Sequence, residues 1–187
     1  MKTFGPLSRS CGECTACCKT MGVADHPRGK KPVNHWCQDC TIGKGCNIYA
    51  SRPKSCVDFE CCWLQDERGI MDDSMRPDRL KVIFQPTKDG HGLVAHCDPS
   101  MPMAWRKGKA FQMLRKAAEA GYHASARAGN RYWVITPTTE WVVPADCLIV
   151  DDDGEIQVRI PHEVAIAFLD YIAEVDTNTE IHALFGW

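Results

Sequence analysis

No apolar run in the 187 residues approaches the roughly 20 needed to cross a bilayer. The opening stretch, Met1 to Ser10, has Lys2 and Arg9 but no apolar core, so it does not read as a secretory signal. No lipidation motif is present, since the chain opens Met-Lys and ends Phe-Gly-Trp. These absences make the cytoplasm the expected location and leave a membrane out of the expected partners. Neither sign of charge dominates: the formal net charge is −2 and the pI is near 6.4. Nucleic acid is therefore not expected as a partner. The P-loop pattern GxxxxGK[ST], the dinucleotide pattern GxGxxG and the nucleophile elbow GxSxG are all missing. The seven histidines show no HxxxH or HxxE spacing, and "DDD" at 151–153 lacks the alternation and later Glu of a calcium loop. A hairpin turn explains that acidic run better.

Aliphatic residues are scarce in one part only. Apolar residues make up 44% of the whole and charged residues 25%, which predicts a packed core. Residues 1–65, however, are rich in Cys, Gly, Pro and Lys and poor in Leu, Ile and Val. That stretch cannot build its own apolar core and needs a staple.

What it does have is sulfur. Ten of the twelve cysteines fall between residues 11 and 62: Cys11, Cys14, Cys17, Cys18, Cys37, Cys40, Cys46, Cys56, Cys61 and Cys62. A disulfide framework needs an oxidising compartment, whereas clustered thiols in a reducing one point to metal. Two residues between cysteines let both sulfurs converge on one ion or one cluster face, and thiolates suit zinc, copper(I) and iron–sulfur clusters. Cys11-x2-Cys14-x2-Cys17 shares its spacing with the ferredoxin run, but that run continues x3-Cys-Pro and this one continues directly with Cys18. Three arrangements fit the spacing: two four-coordinate sites with two thiols over, one site plus structural thiols, or a multinuclear cluster with shared sulfurs. Neighbouring residues in extended chain point opposite ways, so one of Cys17/Cys18 and one of Cys61/Cys62 is credible as a buried non-ligand. Cys97 and Cys147, in or beside apolar strands, read as core residues. A redox-reactive pair such as Cys37–Cys40 ranks below metal, because no βαβ context surrounds it. His35, two residues before Cys37, is a candidate ligand for a Cys3His site but reads better as a loop residue.

"CGECTACC" at 11–18, followed by "HWCQDCTIGKGCNIYASRPKSCVDFECCW" at 35–63, resembles the YkgJ-type cysteine-cluster family, the CxxCxxCC zinc- or iron-chelating domain. The matching positions are Cys11, Cys14, Cys17 and Cys18, then Cys37 and Cys40, then Cys46-Asn47-Ile48-Tyr49, Arg52-Pro53, Cys56, Phe59, Cys61 and Trp63. The likeness covers residues 8–65 closely, and "RPDRLKVIF" at 76–84 is also familiar from some members. Val57 departs from it, since an Arg commonly follows that cysteine. The resemblance implies metal chelation, attributed to zinc or to an iron–sulfur cluster, and no general reaction. A flagellin lysine-methylating enzyme carries a similar cysteine cluster, so an oxidoreductase or a cluster-dependent modifying enzyme stays open. Read physically, Tyr49, Phe59 and Trp63 shield sulfur from water or simply pack, and Arg52 offsets thiolate charge or sits on the surface.

Beyond residue 65 the texture changes. Gln65 to Arg79 reads as a connection. "LKVIFQ" (80–85) and "HGLVAH" (91–96) read as strands about a "TKDG" turn. "KGKAFQMLRKAAEAG" (107–121) and "HEVAIAFLDYIAEV" (162–175) read as helices, while "RYWVITP", "EWVVPA" and the two halves of "CLIVDDDGEIQVRIP" read as strands. Arg106, Lys107, Lys109, Arg115 and Lys116 mark a basic patch or, better, a solvated helix face. The expected fold is α+β: a small metal-stapled Cys-rich module (1–65) packed on an α+β module (66–187) with short antiparallel strands and about two helices. The expected function is a metal-binding protein with one or two Cys-ligated sites, a [4Fe–4S] cluster placed ahead of Zn²⁺, serving chelation, cluster carriage or electron transfer. The alternative is a zinc-structured interaction module without redox role. Its partners are the metal ions or cluster and, through residues 66–187, another protein.

Overall fold

The computed structural model describes residues 9–88, 90–143, 147–150 and 156–158. It is an α+β protein built on a five-stranded mixed sheet. Strand β3 (Val82–Pro86) and β4 (Gly92–Cys97) form the expected hairpin, closed where the Gly90 N–H donates to the Thr87 carbonyl at 2.9 Å. Helix α5 (Gly108–Glu119) carries the chain back over the sheet, so β5 (His123–Ala128) lies parallel to β4. β6 (Arg131–Ile135) and β7 (Glu140–Val143) then add antiparallel strands, giving the order β3-β4-β5-β6-β7. The expected purely antiparallel sheet is thus corrected to a mixed one. A parallel neighbour needs a crossover of about a dozen residues, and α5 supplies it. β8 (Leu148–Val150) and β9 (Ile156–Val158) pair as a separate antiparallel ribbon. The helix expected at 162–175 lies outside the described residues.

One core covers one face of the sheet. Period-2 alternation puts Val82, Phe84, Ala95, Cys97, Ala124, Ala126, Trp133 and Ile135 on it. From α5, Ala110, Leu114, Ala117 and Ala118 meet that face, the i, i+4, i+7 stripe of a helix packed on one side. The alanines of β5 and α5 leave room for the fully buried Trp105, whose ring centroid lies 5.5 Å from that of Trp133. Phe84, 1% exposed, alone contributes about 2 kcal/mol of apolar burial. Cys97 joins this core as a small apolar residue, as its strand context suggested. The segment 65–79 is more than a connection: Met71 and Met75 are buried in the same core, beside a 3₁₀ turn at Asp73–Met75 and α4 (Pro77–Leu80). Arg106 pairs with Glu140 and Lys109 with Asp72, both basic residues remaining solvent-exposed, as expected of a solvated helix face.

The opposite sheet face buries a titratable group. His96 is buried there, and among the described residues its Nε2 has no hydrogen-bond partner. Burial, with the Arg127 guanidinium adding to it, drives its pKa down from 6.5 to about 3. The unfolded chain therefore binds a proton that the folded one refuses. Stability is full above pH 6.5 and falls as the pH drops from there toward 3, by up to about 1.4 kcal/mol per pH unit. His96→Leu is expected to remove much of this loss between about pH 7 and about pH 5, read as urea midpoints by tryptophan fluorescence. A variant that loses as much as the native chain would clear His96 of the effect.

Candidate metal centre

The Cys-rich segment has little regular structure, and its shape comes from turns. Helix α1 (Ala16–Thr20) carries Cys17 and Cys18. β1 (Cys40–Thr41) and β2 (Gly45–Cys46) form a minimal ribbon that sets Cys40 opposite Cys46. Helix α2 (Lys54–Asp58) carries Cys56, and α3 (Cys62–Gln65) starts beside Cys61. Backbone bonds knit these pieces together: the Cys37 N–H donates to the Cys18 carbonyl at 2.9 Å, and Asn47 N–H to the Asp39 carbonyl at 2.8 Å. Gly45, at φ +119°, passes so close to Gly12 that an added Cβ would lie 2.9 Å from the Gly12 carbonyl oxygen. Only glycine permits that approach, and it holds the ribbon against the CxxCxxCC turn.

The result is one cavity of about 480 Å³ ringed by sulfur. Cys11, Cys14, Cys17, Cys18, Cys37, Cys46, Cys56 and Cys61 line it, eight of the ten candidates. Cys40 lies off the lining, within electrostatic reach of Cys37 and Cys46. Cys62 turns the other way and is buried in the apolar core. None of the ten candidate cysteines forms a disulfide among the described residues. Tyr49, Phe59 and Trp63 also line the cavity. The Arg52 guanidinium stacks 4.0 Å from the Tyr49 ring centroid and lowers the pKa of Cys11 electrostatically.

Burial raises the pKa of Cys11, Cys40, Cys46, Cys56 and Cys61, and pushes Cys14 up to about 11. Cys17 is raised furthest, first by its hydrogen bond with Cys18 and then by burial. Among the described residues no three Cys, His, Asp or Glu side chains are arranged to hold an ion. Four thiolates at about 2.3 Å from one zinc would lie about 3.8 Å apart. By kind and number the donors fit a thiolate-bound centre. By spacing they surround a volume larger than a single ion.

Two residues that the sequence left unremarked sit inside this lobe. His26 is buried, and its Nδ1 accepts the Arg28 N–H at 3.2 Å, so the ring proton is on Nε2. Nε2 lies 3.3 Å from the Cys37 sulfur and 3.4 Å from Asp39 Oδ2. Asp39 Oδ2 makes no hydrogen bond, so that proton serves the sulfur, while Arg28 holds the other carboxylate oxygen at 2.8 Å. Lys31 is buried as well, and it lines the cavity. No spacing signal marks either residue, because both reach the site through the turn at 24–31 and not through a motif. His35, by contrast, is an exposed loop residue, its Nδ1 2.9 Å from the Val33 carbonyl. No protein-family model matches the chain, and no curated protein or solved structure matches it either.

Proposed function

We propose that the sulfur-lined cavity holds a thiolate-ligated metal centre, an iron–sulfur cluster ahead of zinc, and that the protein serves as a chelator, cluster carrier or electron-transfer protein. One observation carries this reading. Eight cysteines, drawn from four separated stretches of chain, line a single cavity without pairing as disulfides. All eight are only partly buried, so packing an apolar core does not account for them. A soft cation gives each of them a role. Cys11, Cys14, Cys17, Cys18, Cys37, Cys46, Cys56 and Cys61 would supply ligands, with Cys40 off the lining. A bound iron–sulfur centre would supply one-electron transfer, and Tyr49, Phe59 and Trp63 would keep water from the sulfurs. The resemblance of residues 8–65 to the CxxCxxCC family points the same way.

Anaerobic purification tests the reading, with elemental analysis for Fe, Zn and Cu, acid-labile sulfide and a visible spectrum. Iron with matching sulfide is expected. Zinc without sulfide or colour would instead make the lobe a structural module, with function sought elsewhere on the chain. A chain that retains no metal would overturn both. Metal uptake also has a defined pH dependence. Thiols held above their ordinary pKa must lose protons to bind, so uptake releases protons and apparent affinity rises with pH. Chelator competition across about pH 6 to 8 is expected to show at least about a tenfold gain per pH unit, the slope for one proton released.

A further inference from the structure

Lys31 is a buried cation without a carboxylate. It is 6% exposed, and its ammonium donates only to backbone carbonyls: Lys19 at 3.4 Å, Pro32 at 3.3 Å, and Met21. Among the described residues no Asp or Glu forms an ion pair with it. Its backbone is fixed too, by reciprocal bonds with Val23 at 2.9 and 3.0 Å. Lys19 and Met21 flank the end of α1, the helix that carries Cys17 and Cys18, so the ammonium sits where a helix favours positive charge. Desolvation lowers the pKa of this ammonium, so an anion in reach stabilises its charged form. Ionisable sulfurs line the same cavity. Those of Cys37, Cys18, Cys17 and Cys56 favour its charged form, in that order.

We propose that Lys31 is the built-in counter-charge of the metal centre, a positioning residue that makes the cavity select an ion carrying three or more thiolates. The charge balance gives the reason. A divalent ion with two thiolates is neutral and gains nothing from a neighbouring ammonium. With three it carries one negative charge and with four it carries two, and both are stabilised by Lys31. The inference rests on the metal reading above and goes beyond it, by assigning the sign of the centre's charge and the side of the cavity on which it concentrates, toward Cys17, Cys18, Cys37 and Cys56.

Cobalt(II) titration of the reduced full-length chain tests it, read by the sulfur-to-cobalt charge-transfer absorbance. Lys31→Met keeps the aliphatic stem and removes the charge, and Lys31→Arg keeps the charge. The expected result is cobalt affinity lowered at least about tenfold in Lys31→Met and held within about threefold in Lys31→Arg. Equal affinity in Lys31→Met and the native chain would overturn the counter-charge. Equal loss in both variants would also overturn it, because the lysine would then act only through its carbonyl ties. A native chain that develops no charge-transfer band would overturn the metal reading itself, an outcome distinct from the other two.

Discussion

Cys17→Ser is expected to lower the metal affinity of the chain by at least about a hundredfold, while Cys62→Ser leaves metal content unchanged. The two residues occupy comparable places in the sequence, each in an adjacent cysteine pair, yet the fold sends them to different environments. Cys17 lines the cavity among seven other thiols. Loss of a residue that merely orients a ligand costs metal sites about ten- to a hundredfold, so loss of a cavity sulfur should reach the top of that range or pass it. Cys62 shares the core with Trp63, Met71 and Phe84, and burial pushes its thiol up to about 12. A hydroxyl there has no designed partner. Cys62→Ser should cost about 1–3 kcal/mol of stability with the full complement of metal retained. Metal analysis beside chemical denaturation reads both variants. Metal lost from Cys62→Ser and kept by Cys17→Ser would reverse the assignment of the two pairs.

That contrast also marks where the sequence stops being readable. Its spacing makes one member of each adjacent pair credible as a buried non-ligand, and Cys61–Cys62 divides that way, whereas Cys17 and Cys18, both on the helix α1, both line the cavity. Spacing does not show which of Cys61 and Cys62 is buried, since that depends on where the sheet lies. The β3–β4 hairpin was legible because Val82 to Gln85 and Leu93 to His96 are rich in β-formers and flank a turn. β5 was not: "HASARA" is half alanine, a poor strand former, and only the close packing of α5 and Trp105 makes alanine the right residue there. Missing β5 hid the parallel pair. In the same way Lys31 and His26 carry no local sign of burial. A lysine beside Lys30 in a Gly-Pro-rich turn reads as surface, and its burial is a consequence of the bridge to Val23.

Removing the metal should unfold residues 11–61 well before the sheet. The reason lies in what this stretch buries. Val23 is its one apolar side chain among the buried residues described, whereas Thr15, Thr20, His26, Lys31 and Asp39 are five of the seven buried polar ones. Its helices run five residues at most, and its ribbon has two residues per strand. Elements so short do not persist alone. Structural thiolate–metal sites contribute about 10–16 kcal/mol of binding free energy in small domains, which is folding free energy where no other core exists. The far end of the stretch is anchored differently. Arg9 donates to the carbonyls of Trp63, at 2.7 Å, and Met71, stacks 4.7 Å from the Trp63 ring centroid and pairs with Asp66 at 3.3 Å. Unfolding should therefore halt at Cys62–Trp63 and spare β3 to β7. Hydrogen exchange after anaerobic chelation is expected to show amide protection falling at least about a hundredfold at Cys37, Cys40 and Asn47, with β4 and β6 unchanged. Protection kept at those three amides would mean that the polar ties of His26, Lys31 and Asp39 hold the lobe without metal. Protection lost from β4 as well would mean that the lobe and the sheet fold as one cooperative unit, with the Arg9 anchor transmitting the loss.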